Sequence, residues 1–323
     1  MKRLTAIAVV VGLASALTLT GCSTAEVGSS TEQAPPAAKS GPEVRVGSLL
    51  DSEGAILGSM IVQMLEANGI KTVDKTKLGT PDVVRQALLE GDIDITVDYT
   101  GSGQYYHEGE EGAKVWSDAQ AGYARIAELD RSVNDIWWLA PAPANNTELI
   151  CTTKTLARRE NLKTMEDFAA YVNAGKPVKL IGAQSWRDNP QGLAGFEKAY
   201  GFTIADDQMI ALSHGNTAEM LKALANGTDG VNFSLCYGTD GQLDDLGLVV
   251  LEDTKGVPPV YEPAPVVRGE IMDAYPQIAD ILAPVFASLD LTTLQTLNSR
   301  VALGGEDAKA VAKDYLATNG FLK

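Results

Sequence analysis

Histidine and cysteine are scarce in this chain, whose 323 residues include two histidines and three cysteines. His107 and His214 have no partner at the spacing of metal ligands, and neither stands near an obvious nucleophile. The sequence also lacks a Gly-x-Ser-x-Gly elbow, a His-Glu-x-x-His motif and a phosphate-binding loop. These absences argue against catalysis, and we expect a protein that is not an enzyme and needs no cofactor or metal.

Basic charge is also in short supply, with 26 lysines and arginines against 42 acidic residues and a formal net charge of −16. Such a surface repels nucleic acid and anionic lipid headgroups, so we expect neither as a direct partner. The simplest use of the excess charge is solubility, and we prefer that interpretation.

One long uncharged apolar run is present, and it lies at the N-terminus, from Ala6 to Leu19, behind two basic residues. This pattern predicts a signal peptide over residues 1–21. The sequence Leu-Thr-Gly-Cys that follows resembles a lipobox, which predicts lipidation at Cys22; ordinary cleavage beside an incidental cysteine is the alternative. Residues 22–42 are rich in Ser, Ala, Pro and Gly and are interpreted as a flexible tether.

Cys151 and Cys236 are the two remaining cysteines. An even pair in an exported protein favours a disulfide, and two buried free thiols are the alternative. The sequence leaves this choice open.

The rest of the chain alternates short apolar runs with amphipathic helical patterns, which predicts an α/β fold with largely parallel sheets. Its length suits two lobes better than one. We predict that lobe I comprises 43–143 and 244–323 and that lobe II comprises 144–243. The predicted hinge crossings are residues 141–146 and 237–246.

The stretch GDIDITVDYTGSGQYY, residues 91–106, has the pattern of a strand that ends in a Gly/Ser loop. Tyr99 stands where the strand gives way to Gly101 and Gly103. In α/β proteins ligands bind at the carboxyl ends of strands. We therefore expect part of a binding site here.

Several segments together resemble one known family. They are the stretch from EGAILGS to VDYTGSG, then APANNTE, FEKAYGF, YGTDG and PVYEPAPVVR. In this order they resemble the substrate-binding lipoproteins of osmoprotectant ABC importers, of the OsmF/YehZ type in the glycine betaine, choline and carnitine group. The resemblance implies a type II periplasmic-binding-protein fold with a ligand cleft. It also implies an extracytoplasmic, lipid-anchored monomer that delivers its ligand to an ABC permease.

In that family, aromatic side chains hold a quaternary ammonium group, which has positive charge but no N–H to donate. The resemblance assigns Tyr99, Tyr237 and Tyr261 to this aromatic cage. Ser102 matches a position that is hydroxyl-bearing in some members and helps to bind a ligand carboxylate. For each tyrosine, the alternative is an ordinary half-buried aromatic with a satisfied hydroxyl.

The chain departs from the family pattern at the positions that govern ligand charge. Glu148 stands where the family has an aromatic residue, and the first strand-to-helix loop lacks the lysine of the broader betaine group. Asn189 occupies the place of an arginine, and Arg187 lies two residues earlier. We therefore predict a cationic ligand without a carboxylate, choline-like or larger. The alternative is that Glu148 faces solvent and Arg187 replaces the missing arginine.

Two alternatives keep the binding fold: a binder of a small molecule that is not a quaternary ammonium compound, and a sensor with a different partner. A sensor lipoprotein would pass its closed form to a receptor other than an importer. The sequence does not separate the sensor from the importer component, because the docking surface is the exposed top of both lobes in either case.

Overall fold

A computed structural model describes residues 41–213 and 217–322 of the chain. The predicted signal peptide, Cys22 and the tether up to residue 40 lie outside the described residues, as does His214.

Ten strands are described. In chain order they are β1 Val44–Leu49, β2 Thr72–Gly79, β3 Ile95–Tyr99, β4 Ile136–Trp138, β5 Glu148–Thr153, β6 Leu180–Ala183, β7 Met209–Leu212, β8 Phe233–Tyr237, β9 Leu248–Val250 and β10 Pro263–Arg268.

Twelve α-helices are described, together with short 3-10 turns such as Thr100–Tyr105. The helices are α1 Ser52–Ala67, α2 Pro81–Glu90, α3 Ala119–Asn134, α4 Lys154–Glu160, α5 Met165–Asn173, α6 Gln184–Asp188, α7 Leu193–Tyr200, α8 Thr217–Asn226, α9 Gly269–Ala274, α10 Ile278–Ala287, α11 Leu291–Ala302 and α12 Ala308–Thr318.

The strands form two five-stranded sheets, one for each lobe. The order in lobe I is β2-β1-β3-β10-β4, and the order in lobe II is β7-β6-β8-β5-β9. The pairs that β1 makes with β2 and β3, and that β6 makes with β7 and β8, are parallel. β10 and β5 run antiparallel to both of their neighbours. The prediction of largely parallel sheets is therefore corrected to mixed sheets, because each lobe receives one strand from a crossing that returns in the opposite direction.

Helix boundaries follow the local signals in the sequence. Asn68 caps the C-terminal end of α1, and Gly69 adopts a positive φ of 75°. α2 begins at Pro81 after Thr80, and Gly91 ends it in the left-handed conformation. Both helices therefore end where these residue types favour a helix boundary.

The predicted boundary between the lobes needs a correction. β9 pairs with β5, so residues up to Val250 belong to the lobe II sheet. The chain returns to lobe I between β9 and β10, at residues 251–262, rather than at residue 244. The first crossing, at residues 139–147 between β4 and β5, contains the predicted segment 141–146.

The cysteine pair is also corrected, because both thiols are free and buried. In the antiparallel β5–β8 pair, Cys151 lies opposite Ser234 and Cys236 lies opposite Leu149. The two cysteines are therefore diagonal neighbours on one face of the sheet, where their side chains interact, and the structure has no disulfide between them. The thiols instead donate to the backbone oxygens of Ser234 and Leu149.

Each lobe has its own apolar core against its sheet. Across residues 41–213 and 217–322, no single helix is long and apolar enough to cross a membrane. The pair α10 and α11 passes that test together by length and composition, with a 90° bend between them. Ile278 and Leu282 of α10 are completely buried in the lobe I core.

Candidate ligand-binding cleft

A cavity of about 680 Å³ lies between the two lobes. Leu49 and Tyr99 contribute to it from the carboxyl ends of β1 and β3. Glu148, the first residue of β5, and Tyr237, the last residue of β8, contribute from the lobe II sheet. The cavity therefore occupies the strand-end position at which α/β proteins bind ligands.

The lining of this cavity is acidic and aromatic. Its carboxylates are Asp51, Glu53, Asp98, Glu148 and Asp240, and its tyrosines are Tyr99, Tyr105, Tyr237 and Tyr261. Asparagine, glutamine, serine and threonine supply the other polar groups. None of the described residues that line the cavity is a lysine, an arginine or a histidine.

Glu53, at the start of α1, is hydrogen-bonded on the lobe I side of the cleft. Its two carboxylate oxygens accept from the Tyr99 hydroxyl and from Asn298 Nδ2, each at 2.6 Å. Asn298 also donates to the backbone oxygen of Thr239 at 2.9 Å. Burial raises the pKa of Glu53 to about 7, and hydrogen bonds from Thr239, Tyr99 and Asn298 oppose the rise. Glu53 therefore fixes the position of Tyr99 and connects it to the lobe II segment after β8.

Asp98 lies behind Tyr99 and supports the loop that follows β3. It accepts from the Tyr99 backbone N–H and from the Tyr106 hydroxyl, each at 2.7 Å. The guanidinium of Arg85 lies 4.2 Å from the Tyr106 ring centroid and pairs with the buried Asp130 through two hydrogen bonds. Burial raises the pKa of Asp98 to about 6. This buried network holds the loop that carries Ser102.

Glu148 and Tyr237 lie directly opposite each other in the β5–β8 pair, so their side chains share one face of the sheet. That face is turned to the cleft, where both residues line the cavity. The Tyr237 hydroxyl is 3.5 Å from Glu148 Oε1, at the limit of a hydrogen bond. Burial raises the pKa of Glu148 to about 7.

Tyr261 reaches the cleft from the second crossing. Its ring packs against Gly101, where an added Cβ would lie 2.9 Å from the ring and 2.8 Å from the Val260 oxygen. Gln104 donates to the Tyr261 hydroxyl at 3.3 Å. Burial raises the pKa of the Tyr261 phenol, and Tyr105 and Glu148 raise it further. The negative charge of Glu148 therefore acts on Tyr261.

Asp240, three residues after the end of β8, stabilises that strand end through hydrogen bonds to its carboxylate. Its carboxylate accepts from the Tyr237 backbone N–H at 2.7 Å and from the Thr217 hydroxyl at 2.9 Å. Burial raises its pKa to about 6. Asp240 therefore couples the β8 end to the start of α8.

Five of the six predicted site residues come together in this cavity. They are Tyr99, Ser102, Glu148, Tyr237 and Tyr261. Arg187 is the exception and corrects the prediction, because it pairs with Asp206 and does not line the cavity. Asn189, at the place of the family's arginine, does line it. The alternative in which Arg187 replaces the missing arginine therefore has no support in the described cleft wall.

A family model for the substrate-binding domain of ABC-type glycine betaine transport systems matches residues 42–318. The chain belongs to this OpuAC family. It is 46% identical over 280 residues to the glycine betaine-binding protein YehZ of Escherichia coli K12, a match that covers 87% of this chain and 92% of that protein. It is 30% identical to a glycine-betaine-binding protein of Pseudomonas aeruginosa, over 86% of this chain and 88% of that protein.

The structure of apo YehZ from E. coli superimposes with a TM-score of 0.76 at 45% identity, covering 87% of this chain and all of the other. The fold is therefore the predicted type II periplasmic-binding-protein fold. Members of the OpuAC family are extracytoplasmic solute-binding proteins of ABC importers and are not enzymes. Their partners are a small-molecule osmolyte and an ABC permease.

Sequence reasoning missed several cleft residues of this OpuAC-family protein. Tyr105 was not assigned to the site from the sequence, and the structure places it in the cleft, half exposed. Glu53 was not assigned to the site either, and its main contacts are Tyr99 and Asn298. The position of Tyr105, directly after the Gly/Ser loop, was a signal that could have identified it.

Proposed function

We propose that the cleft captures a small organic cation, of the quaternary ammonium or a related class, and that the protein delivers it to its permease. Tyr99, Tyr237 and Tyr261 supply electron-rich ring faces, each worth about 0.5–2 kcal/mol to a cation. Glu148 supplies a facing negative charge. A hydroxyl on the ligand has Ser102 and the cleft amides as partners.

The observation that best supports this proposal is the charge of the cavity lining. Its described residues include five carboxylates and no basic residue. A ligand carboxylate at 4 Å from an ionised Glu148 would be repelled by about 4 kcal/mol at an effective dielectric constant of 20. A cation at the same place gains a similar amount. We therefore propose that this chain favours cations without a carboxylate, such as choline, over the zwitterion glycine betaine after which two of its relatives are named.

Binding to both lobes explains how the ligand state is signalled. Tyr99 and Ser102 belong to lobe I, whereas Glu148 and Tyr237 belong to lobe II. A ligand that contacts both walls stabilises the form in which they are closest, so its binding shifts the population towards closure about residues 139–147 and 251–262. The permease would recognise the closed form.

We also propose a lipid anchor at Cys22 and a monomeric protein. The support is the lipobox-like sequence after the apolar run and the tether-like composition of residues 22–42. Mass spectrometry of the mature natural protein should show a lipid-modified Cys22, and Cys22→Ala should abolish the modification. A mature protein without lipid at Cys22 would contradict the anchor, and gel filtration with light scattering tests the monomer.

The proposed ligand class is tested by thermal unfolding with choline, glycine betaine, carnitine, proline betaine and ergothioneine at millimolar concentrations. A ligand at one hundred times its dissociation constant adds about 2.7 kcal/mol to the free energy of unfolding. We expect choline to raise the midpoint more than glycine betaine. A larger shift with glycine betaine would contradict the charge argument, and no shift with any cation would overturn the proposed function.

A further inference from the structure

The carboxylates of the cleft differ in how well they are supplied with hydrogen bonds. Glu53, Asp98 and Asp240 each accept at least two hydrogen bonds, of 2.6–2.9 Å, from other residues. Asp51 caps α1 by accepting from the Gly54 backbone N–H at 2.8 Å. Among the described residues, only Tyr237 donates to Glu148, and that contact is 3.5 Å long. Glu148 therefore has nearly all of its acceptor capacity unused by the protein.

The lack of hydrogen-bond donors to Glu148 matters because Glu148 lies where a ligand would displace water. It lies at the start of β5 with its side chain on the cleft face, opposite Tyr237 and within electrostatic reach of Tyr261. In the open cleft, water fills its lone pairs. When the lobes close on a ligand, the two tyrosines and the ligand displace that water, and a carboxylate without donors then carries a desolvation cost.

The ligand is the partner that can supply the missing donors. A fully methylated ammonium group attracts Glu148 by charge but presents only C–H groups to its oxygens. A protonated amine has the same charge and adds an N–H that donates to the carboxylate, and such charge-assisted hydrogen bonds are among the strongest in proteins. The tyrosine rings accept either cation, because cation–π attraction needs charge rather than an N–H.

We infer that the cationic group of the preferred ligand carries at least one N–H that donates to Glu148, as in a protonated tertiary or secondary amine. This inference rests on the proposed function, since it concerns the same cleft and the same cation. It narrows the class from cations in general to cations that can donate a hydrogen bond.

Isothermal titration calorimetry of the purified protein at about pH 8 with N,N-dimethylethanolamine and with choline tests the inference. The two cations differ by one methyl group, and only the former carries an N–H. We expect dimethylethanolamine to bind at least about tenfold more tightly, as one hydrogen bond to a charged group provides. Equal or tighter binding of choline overturns the inference and leaves the proposed function supported. Binding of neither cation overturns the proposed function itself.

Two variants assign the preference to Glu148. Glu148→Leu removes every acceptor at this position and should abolish the preference for dimethylethanolamine. Glu43→Leu is the matched control, because Glu43 is exposed before β1, at the end of that strand opposite the cleft. It should keep the preference of the natural protein. Equal unfolding midpoints establish that both variants fold, and a preference that survives in Glu148→Leu overturns the assignment.

Discussion

Glu53 and Glu148, one on each wall of the cleft, use the same side chain in different ways. On the lobe I wall, Glu53 and Asp98 are enclosed by short hydrogen bonds that hold Tyr99 and the loop after it. On the lobe II wall, Glu148 faces the cavity with one 3.5 Å contact. A carboxylate in a binding cleft can therefore support the structure or remain available to a ligand. The number and length of the hydrogen bonds that the protein donates to it distinguish these two roles.

The largest expected effect is a difference in the free energy of unfolding between variants of Glu53 and Glu148. Glu53→Leu removes the acceptor of two donors, Tyr99 Oη and Asn298 Nδ2, and should lower the free energy of unfolding by about 2 kcal/mol. Glu148→Leu leaves no short hydrogen bond unmade and should leave the unliganded protein as stable as before, or slightly more stable. Urea unfolding of both variants measures the difference. Equal losses in the two variants would refute the contrast.

The next effect is the dependence of choline affinity on pH, which follows the ionisation of Glu148. Because burial raises its pKa to about 7, the carboxyl becomes protonated as the pH falls through that value and loses its attraction for a cation. Choline affinity should then decrease by up to about tenfold per pH unit below pH 7. Calorimetric titrations at several pH values measure this, and Glu148→Gln should flatten the dependence. A flat profile in the natural protein would show that Glu148 does not act on the ligand.

The same raised pKa values predict the opposite trend for the unliganded protein. The pKa values of Glu53 and Asp98, like that of Glu148, lie above those of unfolded carboxyls. Their contribution to stability is complete at low pH and is lost as the pH rises through about 6 to 7. The contribution of these three carboxyl groups should therefore make the thermal unfolding midpoint of the unliganded protein higher at about pH 5.5 than at about pH 8. A cationic ligand should reduce the difference.

A smaller effect tests the aromatic contribution. Tyr261→Leu should weaken choline binding about tenfold, since one ring face contributes about 0.5–2 kcal/mol. Tyr261→Phe keeps the ring, loses the hydrogen bonds of the hydroxyl with Gln104 and Tyr105, and is the matched control. Titration calorimetry of both variants measures the ratio. If Phe weakens binding as much as Leu, the hydroxyl rather than the ring face carries the interaction.

The smallest effect concerns the core of lobe II. Because Cys151 and Cys236 are free thiols, a reducing agent should not change the unfolding midpoint. A clear decrease with dithiothreitol would show that the two cysteines form a disulfide. Mass spectrometry after alkylation of the unfolded, unreduced protein gives the same answer independently.

Local signals in the sequence predicted the elements that are determined locally. Asn68-Gly69 ends α1, and Thr80-Pro81 begins α2, because these residues favour the required backbone conformations. β9 shows the limit of such signals. Its short apolar run fits either sheet, and only its pairing with β5 assigns it to lobe II.

The sequence predicted those site residues that belong to a recognisable motif. It did not predict the contacts between segments that are distant in the chain. The resemblance identified Tyr99, Glu148 and Tyr237, and all three line the cavity. The hydrogen bond from Tyr99 to Glu53 joins residues 46 positions apart, and no periodicity reports such a contact. The alternative that brought Arg187 into the cleft lacks support for a related reason, since its salt bridge with Asp206 is a tertiary contact that no local pattern reports.

The most direct test of the central claim is the ratio of choline to glycine betaine affinity, measured calorimetrically in the natural protein and in Glu148→Gln. The part of the cleft wall that the structure describes has a free carboxylate and no basic residue. We therefore predict that choline binds at least about tenfold more tightly and that Glu148→Gln reduces this ratio. Tighter binding of glycine betaine, with a ratio that the substitution leaves unchanged, would contradict the account.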